Sequence, residues 1–164
     1  MKKAVLALTL ISVIFFTGCS KESILKKTIT PELPVSFNQR ANVSSGDFSY
    51  SCEICKNDKS VSVKVTSTNA QGMVMIYDGS NMVFNYNDMI GETAGGSLPQ
   101  NNIAIVIYDA YTVLLNDKSA PSKVDAGYKY QNKISLGDFV LIMDNDMRLK
   151  SFSMKSMDLK VEFY

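Results

Sequence analysis

The residues of this chain best suited to chemistry are two cysteines in the segment SYSCEICK, residues 49–56. A C-x-x-C pair can cycle between dithiol and disulfide, hold a metal ion or form a structural bridge. The chain contains three cysteines and no histidine. Because Ser-His-Asp catalysis, Cys-His catalysis and imidazole metal sites all need histidine, these sites are excluded. Cys52 and Cys55 therefore remain as the candidates to be explained.

The surroundings of the pair predict a strand rather than a redox site. A thioredoxin-type motif opens a helix within a βαβ unit, whereas the residues from Phe48 to Ile54 alternate between apolar and polar. In a regular strand, Cys52 and Cys55 lie roughly 10 Å apart on opposite faces, beyond the ~7 Å limit for a disulfide. Three alternatives stay open: two unpaired thiols, a local disulfide across a bulge, or a redox or metal role.

The third cysteine, Cys19, follows a segment typical of a secretory signal peptide. Lys2 and Lys3 precede an apolar run from Ala4 to Phe16, after which the residues are first small and then polar. A helix over that run would rise roughly 20 Å, which is short of the ~30 Å hydrocarbon core of a membrane. The run therefore predicts a cleaved signal peptide and not a permanent span.

The residues Phe16-Thr17-Gly18-Cys19 resemble a bacterial lipobox, in which the cysteine is diacylated and becomes the new N-terminus. This resemblance implies a lipoprotein signal peptide at residues 1–18 and a lipidated, palmitate-type anchor at Cys19. Two or three acyl chains hold a protein stably on a membrane, whereas one gives marginal affinity. We therefore expect an extracytoplasmic protein whose partner is the cell membrane, or the outer membrane if the cell has one.

The remainder divides into a tether and a single domain. Residues 19–34 contain charges and two prolines, which predicts a tether, and residues 35–164 are long enough for one domain with its own core. Without Lys2 and Lys3, the 17 basic side chains become 15, against 16 acidic ones. Because nucleic-acid binding needs a basic face, this near-neutral charge argues against such a partner.

The domain sequence has an apolar period close to two, which predicts strands with one buried face. Val61, Val63 and Val65 alternate with polar residues, and residues 157–163 do so again. Turn sequences such as Asp78-Gly79-Ser80-Asn81 separate the stretches. The pattern indicates a meander of antiparallel hairpins.

Three segments depart from that alternation. Residues 73–77 and 139–143 are apolar on both faces, which predicts strands covered on both sides or facing a cavity. The segment from Ile103 to Leu115 is compatible with strand or helix, and its apolar spacing favours a helix. The fold class expected is α+β and mainly β: a curved, antiparallel, half-open β-barrel packed on one main helix.

From about Val35 to Tyr164, the order of these features is similar to the lipoprotein-carrier (LolA/LolB-like) superfamily. The motifs are Gln71-Gly72-Met73, Tyr77-Asp78-Gly79, Phe84-Asn85-Tyr86, Leu98-Pro99, Tyr128-Lys129-Tyr130, Phe139-Val140-Leu141 and Val161-Glu162-Phe163. The resemblance implies an unclosed barrel around helices, with an apolar cavity that takes acyl chains of lipids or lipoproteins.

The methionines supply candidates for a cavity lining. Past Met1, all eight lie from Met73 onward. Flexible thioether chains suit a surface that accepts varied apolar ligands, and they suit an irregular core equally well. The candidate lining residues are Met73, Met75, Phe84, Tyr108, Tyr111, Leu141 and Met143.

Catalysis finds little support in the remaining polar residues. Carboxylates fall mostly at turns, and Asp144-Asn145-Asp146 lacks the spaced ligands of a calcium loop. We expect no catalytic residue, metal site or cofactor, and therefore no enzyme. The favoured function is a membrane-anchored lipoprotein that binds a lipid or acyl chain in a half-barrel cavity. The alternatives are a structural or interaction lipoprotein of the envelope, with an unknown protein partner, and a thiol oxidoreductase.

Overall fold

The computed structural model describes residues 31–99, 101–117 and 120–164, which form eleven strands and one α-helix. The strands before the helix are β1 (Phe37–Ser45), β2 (Phe48–Lys56), β3 (Val61–Val65), β4 (Val74–Tyr77), β5 (Asn81–Tyr86) and β6 (Met89–Ala94). Helix α1 spans Ile103–Asp117. The strands after it are β7 (Ser122–Val124), β8 (Gly127–Ile134), β9 (Gly137–Met143), β10 (Leu149–Met154) and β11 (Leu159–Phe163).

All eleven strands belong to one antiparallel sheet with the order β6-β5-β4-β3-β2-β1-β11-β10-β9-β8-β7. The first strand pairs with both β2 and the last strand, so the two chain ends of the domain meet in the middle of the sheet. Within the described residues, β6 and β7 form the two free edges. The sheet is therefore open, as the fold class from the sequence required.

Alternation along the strands decides which side chains face the core. In β11, Leu159, Val161 and Phe163 are buried, while Lys160 and Glu162 are exposed. Strands β2 and β3 follow the same rule, with their buried residues two apart. Because neighbouring side chains of a strand point to opposite faces, one face of the sheet collects the apolar residues. The half-buried strands predicted from the sequence are confirmed.

Strands β4 and β9, apolar on both faces in sequence, are not covered on both sides. Ile76 on the outer face of β4 is 38% exposed, and Val140 and Ile142 on the outer face of β9 are half-buried. Of the two alternatives taken from the sequence, cover on both sides does not hold for these strands within the described residues. Their outer apolar side chains face solvent, which is ordinary for single residues on a β surface.

Helix α1 occupies the concave side of the sheet and packs against β3, β4 and β8. Ile103 to Ile107 are all buried, so the first turn and a half of α1 is enclosed. Asn102 begins the helix, because its Oδ1 accepts a hydrogen bond from the Ala104 N–H at 3.0 Å. The helix predicted from Ile103 to Leu115 is confirmed, and the fold is an α+β half-open barrel.

The half-barrel has two ends, which differ in how they are filled. We call the end at which β1 begins and β2 finishes, at Phe37 and Lys56, the base. The opposite end, at which β1 finishes and β2 begins, at Ser45 and Phe48, is the mouth. Because β1 and β2 are paired along their whole lengths, these two ends are fixed relative to each other.

Candidate functional site

A cavity of about 410 Å³ lies at the mouth, between the sheet and the start of α1. Strands β1 to β4 and β11, the loop after β3 and the residues around the helix start all contribute to its wall. The lining residues are Val43, Ser45, Phe48, Tyr50, Val65, Thr68, Ala70, Met73, Met75, Asn101, Asn102, Ile103 and Leu159. The volume lies in the range of about 300–1,000 Å³ typical of small-molecule sites.

Among the described residues, the cavity wall carries no charged side chain. Its polar groups are the hydroxyls of Ser45 and Thr68, the amides of Asn101 and Asn102, and the phenol of Tyr50. Burial raises the pKa of Tyr50 above its ordinary range, with Cys52 as a smaller cause, so the phenol is uncharged at neutral pH. Because an ion in such a space would lack a partner, the wall favours apolar or neutral groups.

The loop after β3 folds back over the mouth through its own backbone hydrogen bonds. The N–H of Val65 donates to the Met73 carbonyl at 2.9 Å, and the N–H of Gly72 donates to the Val65 carbonyl at 2.9 Å. Gly72 has a φ of +92°, a left-handed conformation that glycine adopts without strain. This closed loop holds Ala70 and Met73 against the cavity.

The start of α1 is fixed to the sheet at the same place. Besides capping the helix, Asn102 donates from Nδ2 to the Met75 sulfur at 3.3 Å. One side chain therefore sets both the beginning of the helix and the position of a methionine in the cavity wall. Both residues line the cavity.

The rim of the cavity carries an exposed aromatic ring. Phe48, the first residue of β2, is 61% exposed, and its ring centroid lies 5.6 Å from that of Tyr50. A large apolar ring at the edge of an apolar opening keeps a continuous hydrophobic path from the surface into the cavity. The mouth is therefore accessible from solvent.

Of the seven lining candidates from the sequence, Met73 and Met75 line this cavity. Leu141 and Met143 are buried in the packed core under β9, and Phe84 is half-buried on β5. These three residues are not part of the lining of this cavity. Residues 139–143 are apolar at every position, so their sequence indicates neither which side chains face inward nor which part of that face is filled.

The two tyrosines among the candidates pack towards the base. The Tyr111 ring lies 5.3 Å from that of Phe37, and the Tyr108 ring lies 5.2 Å edge-on to that of Tyr77. Phe163 meets Phe37 at 6.0 Å. Aromatic rings therefore fill this end, and Tyr108 and Tyr111 are part of that filling instead of a cavity wall.

Most of the lining residues were not among the candidates from the sequence. They include Phe48 and Tyr50, which lie in the strand predicted from Phe48 to Ile54, and Ala70 and Asn102, which lie in loops. Small and amide side chains in a loop produce no periodic pattern in the sequence. They come together at the cavity because the loop after β3 meets the start of α1.

The cysteine pair is unbridged, and β2 runs regularly through it. Cys52 pairs across β1 with Ala41 and faces the core, whereas Cys55 pairs with Asn38 and faces outward. The disulfide considered from the sequence does not form, because residues three apart in a regular strand lie on opposite faces. Burial raises the pKa of the Cys52 thiol to about 12, which opposes the thiolate that redox chemistry needs.

Two further kinds of feature, a metal-binding cluster and a membrane-spanning helix, are absent from the described ranges. No group of three or more Cys, Asp or Glu side chains there is arranged to hold a metal ion. No helix in the same ranges has the length and apolarity to cross a membrane. Cys19 and residues 1–18, the predicted anchor and signal peptide, lie outside the described residues.

No family model and no curated protein matches this chain. Among solved structures, the chain is similar to a LolA superfamily protein from Nitrosomonas europaea, with 12% sequence identity and a TM-score of 0.37. The alignment covers 82% of this chain and 66% of that chain, just under two thirds of its length. The likeness is one of fold and carries no functional argument, so the fold class rests on the strand order and the helix described above.

Proposed function

We propose that the domain binds an apolar ligand, a lipid or an acyl chain, in the cavity at the mouth. The observation that carries this proposal is an uncharged wall around about 410 Å³ of space that opens between an exposed aromatic rim and the start of α1. An empty pocket of about 150 Å³ in a protein core already holds benzene. A space of this size takes a considerably larger apolar group.

The proposed ligand is bound chiefly by burial of its apolar surface. Met73 and Met75 offer flexible thioether contacts that adapt to different chain shapes. Asn101 and Tyr50 offer neutral hydrogen-bonding groups for an ester, amide or alcohol near the opening. No residue of the wall supplies a nucleophile with a base beside it, so binding without catalysis is the function we propose.

We further propose that the protein is a lipoprotein held outside the cytoplasm by acyl chains on Cys19, within the lipoprotein-carrier superfamily. The lipobox at residues 16–19 supports this proposal. Cells that express the chain and are fed an alkyne-bearing palmitate should yield a labelled protein. The variant Cys19→Ser should remain unlabelled, and equal labelling of both chains would refute the anchor.

Ligand binding is tested with a chain of residues 20–164, which contains the complete sheet, helix and core. N-phenyl-1-naphthylamine fluoresces when it enters an apolar site, and palmitate should displace it. Ala70→Leu adds bulk to the cavity wall and should weaken the binding of the probe roughly tenfold, or by about 1.4 kcal/mol. Ala94→Leu makes the same change on exposed β6 and serves as the matched control.

Two outcomes would overturn the proposal. The first is that the probe fails to bind the intact chain. The second is that Ala70→Leu and Ala94→Leu bind it equally well, which would place the apolar site elsewhere.

A second function is favoured by one specific observation, the exposed hairpin of β5 and β6. Met89 is 68% and Ile90 is 73% exposed on a free edge strand. Exposed apolar residues beside unpaired backbone groups are a usual place for protein association. The alternative proposal is an envelope interaction protein. Cross-linking in cells should then capture a protein partner that the double variant Met89→Ser with Ile90→Ser loses, and capture unaffected by that variant would contradict it.

A further inference from the structure

The chain enters the domain at the base. The hydroxyl of Tyr130 in β8 donates to the carbonyl oxygen of Pro31 at 3.2 Å, and Leu33 packs against the core. Phe37, which begins β1, lies between the rings of Tyr111 and Phe163. Residues 31–34, the last part of the predicted tether, are thus fastened to the folded unit at its base.

From there β1 carries the chain to the other end of the half-barrel. The strand has nine residues from Phe37 to Ser45, which span about 27 Å at ~3.4 Å per residue. Ser45, where β1 finishes, lines the cavity. The point at which the tether joins the domain and the opening of the cavity are therefore separated by nearly the length of the domain.

The root-mean-square reach of the tether predicted from the sequence is shorter than this separation. Eleven residues lie between Cys19 and Pro31, and a coil of that length has a root-mean-square reach of roughly 18 Å. To turn the mouth towards the anchoring bilayer, the tether would have to stretch along the whole domain. An orientation with the base nearest the membrane needs no such extension.

The base also carries basic groups that can contact lipid head groups. Arg40 and Arg148, the two arginines of the chain, line a groove of about 680 Å³ at the base together with Lys150. Glu53 and Asp144 line it as well, and neither guanidinium forms an ion pair with a described carboxylate. Guanidinium groups bind phosphate oxygens in paired hydrogen bonds, and anionic head groups attract basic residues near a membrane surface.

We propose that the anchored domain stands with its base on the bilayer and its cavity mouth facing away into the aqueous space. This orientation rests on the proposed function, and it places the opening of the cavity and the exposed ring of Phe48 on the side away from the bilayer that holds the anchor.

The orientation is tested with the full lipidated chain in vesicles of phosphatidylcholine and phosphatidylglycerol. A fluorophore is placed on a cysteine at one of two exposed turns, through Asp47→Cys at the mouth or Asp58→Cys at the base. Both variants carry Cys55→Ser, which removes the outward-facing thiol. The two turns flank β2, so each label serves as the matched control for the other.

A nitroxide-bearing phospholipid in the vesicles quenches fluorophores that lie near the membrane surface. We expect the label at position 58 to be quenched several-fold more strongly than the label at position 47. Labels quenched alike, or stronger quenching at position 47, would overturn the orientation. Because this readout needs no ligand, it fails or succeeds independently of the probe-binding experiment on the cavity.

Discussion

The base and the mouth of the half-barrel are built on the same strands but end in different states of packing. At the base, the ring of Phe37 meets those of Tyr111 and Phe163. At the mouth, side chains of mixed size, from Ala70 and Val43 to Tyr50 and Met75, leave a cavity between them. The comparison shows that the same strands can carry a packed end and an open end, according to how the side chains at each end meet.

The two ends also differ in the polar side chains that they bury. Lys56 at the base is only 4% exposed, its ammonium group lies 5.9 Å from the Tyr108 ring centroid and 6.0 Å from that of Tyr111, and it donates to the Asn57 carbonyl. Burial is the main cause of its lowered pKa. Among the described residues that line the cavity at the mouth, the polar side chains are all neutral. A buried ammonium group is therefore a feature of the base and not of the cavity wall.

The largest effect that separates the two ends should come from removing an aromatic ring. Phe163→Ala at the base should lower the free energy of unfolding by about 3–5 kcal/mol, because the ring is buried and its loss leaves a hole. Urea unfolding with an unchanged slope would measure it.

Phe48→Ala at the mouth is the matched change. Since that ring is largely exposed, the free energy of unfolding should move by no more than about 0.5 kcal/mol. Equal losses for the two variants would mean that the mouth is packed as tightly as the base.

The sequence predicted the strands and the helix well because their signals are local. The alternation from Phe48 to Ile54 needs no knowledge of neighbours, and the spacing of apolar residues from Ile103 to Leu115 favours a helix over a strand. The same alternation places Cys52 and Cys55 on opposite faces of β2. Because the strand runs through them without a bulge, the two thiols stay unbridged.

The site was predicted less well, since a period of two gives the face of a strand and not its end. Met75 and Met143 both point inward, yet Met75 borders the cavity and Met143 is enclosed by the core. The difference depends on what the loop at Ala70 and the cap at Asn102 bring to the mouth. Those contacts join parts of the chain that are distant in sequence, so no local pattern reveals them.

A second effect concerns the hydroxyl group of Tyr111. It is buried and has no hydrogen-bond partner among the described residues. A buried unpaired hydroxyl destabilises a fold, so Tyr111→Phe should raise the free energy of unfolding by about 1 kcal/mol. Tyr50→Phe at the mouth, where the residue is half-buried, should change it less. A clear loss of stability in Tyr111→Phe would show that the hydroxyl is paired.

A comparable effect is expected at the start of the helix, on the mouth side. Asn102→Ala removes the cap on the Ala104 N–H and the contact with the Met75 sulfur. It should cost about 1 kcal/mol of stability and weaken probe binding. Asn102→Asp keeps the capping oxygen and should recover most of the stability in thermal unfolding. If the Ala variant matches the wild type in both measurements, Asn102 does not position the cavity wall.

The smallest difference to be measured is one of thiol reactivity. Cys55 is partly exposed on the outer face, whereas Cys52 is buried with a pKa raised to about 12 by desolvation. In a chain of residues 20–164, a maleimide reagent should modify one thiol quickly and the second when the protein unfolds. Modification of both thiols at the same rate would contradict a regular β2. So would the absence of any modification because the two thiols have formed a disulfide.

The most direct measurement is photo-cross-linking of a diazirine-bearing palmitate analogue to the chain of residues 20–164. Adducts would be located by mass spectrometry of peptides. We expect them in the loop at residues 66–73 and at Asn101–Ile103, with their loss in Ala70→Leu. Adducts confined to the base, at Tyr77 or Tyr111, or scattered over the outer face of the sheet would contradict a ligand site at the mouth.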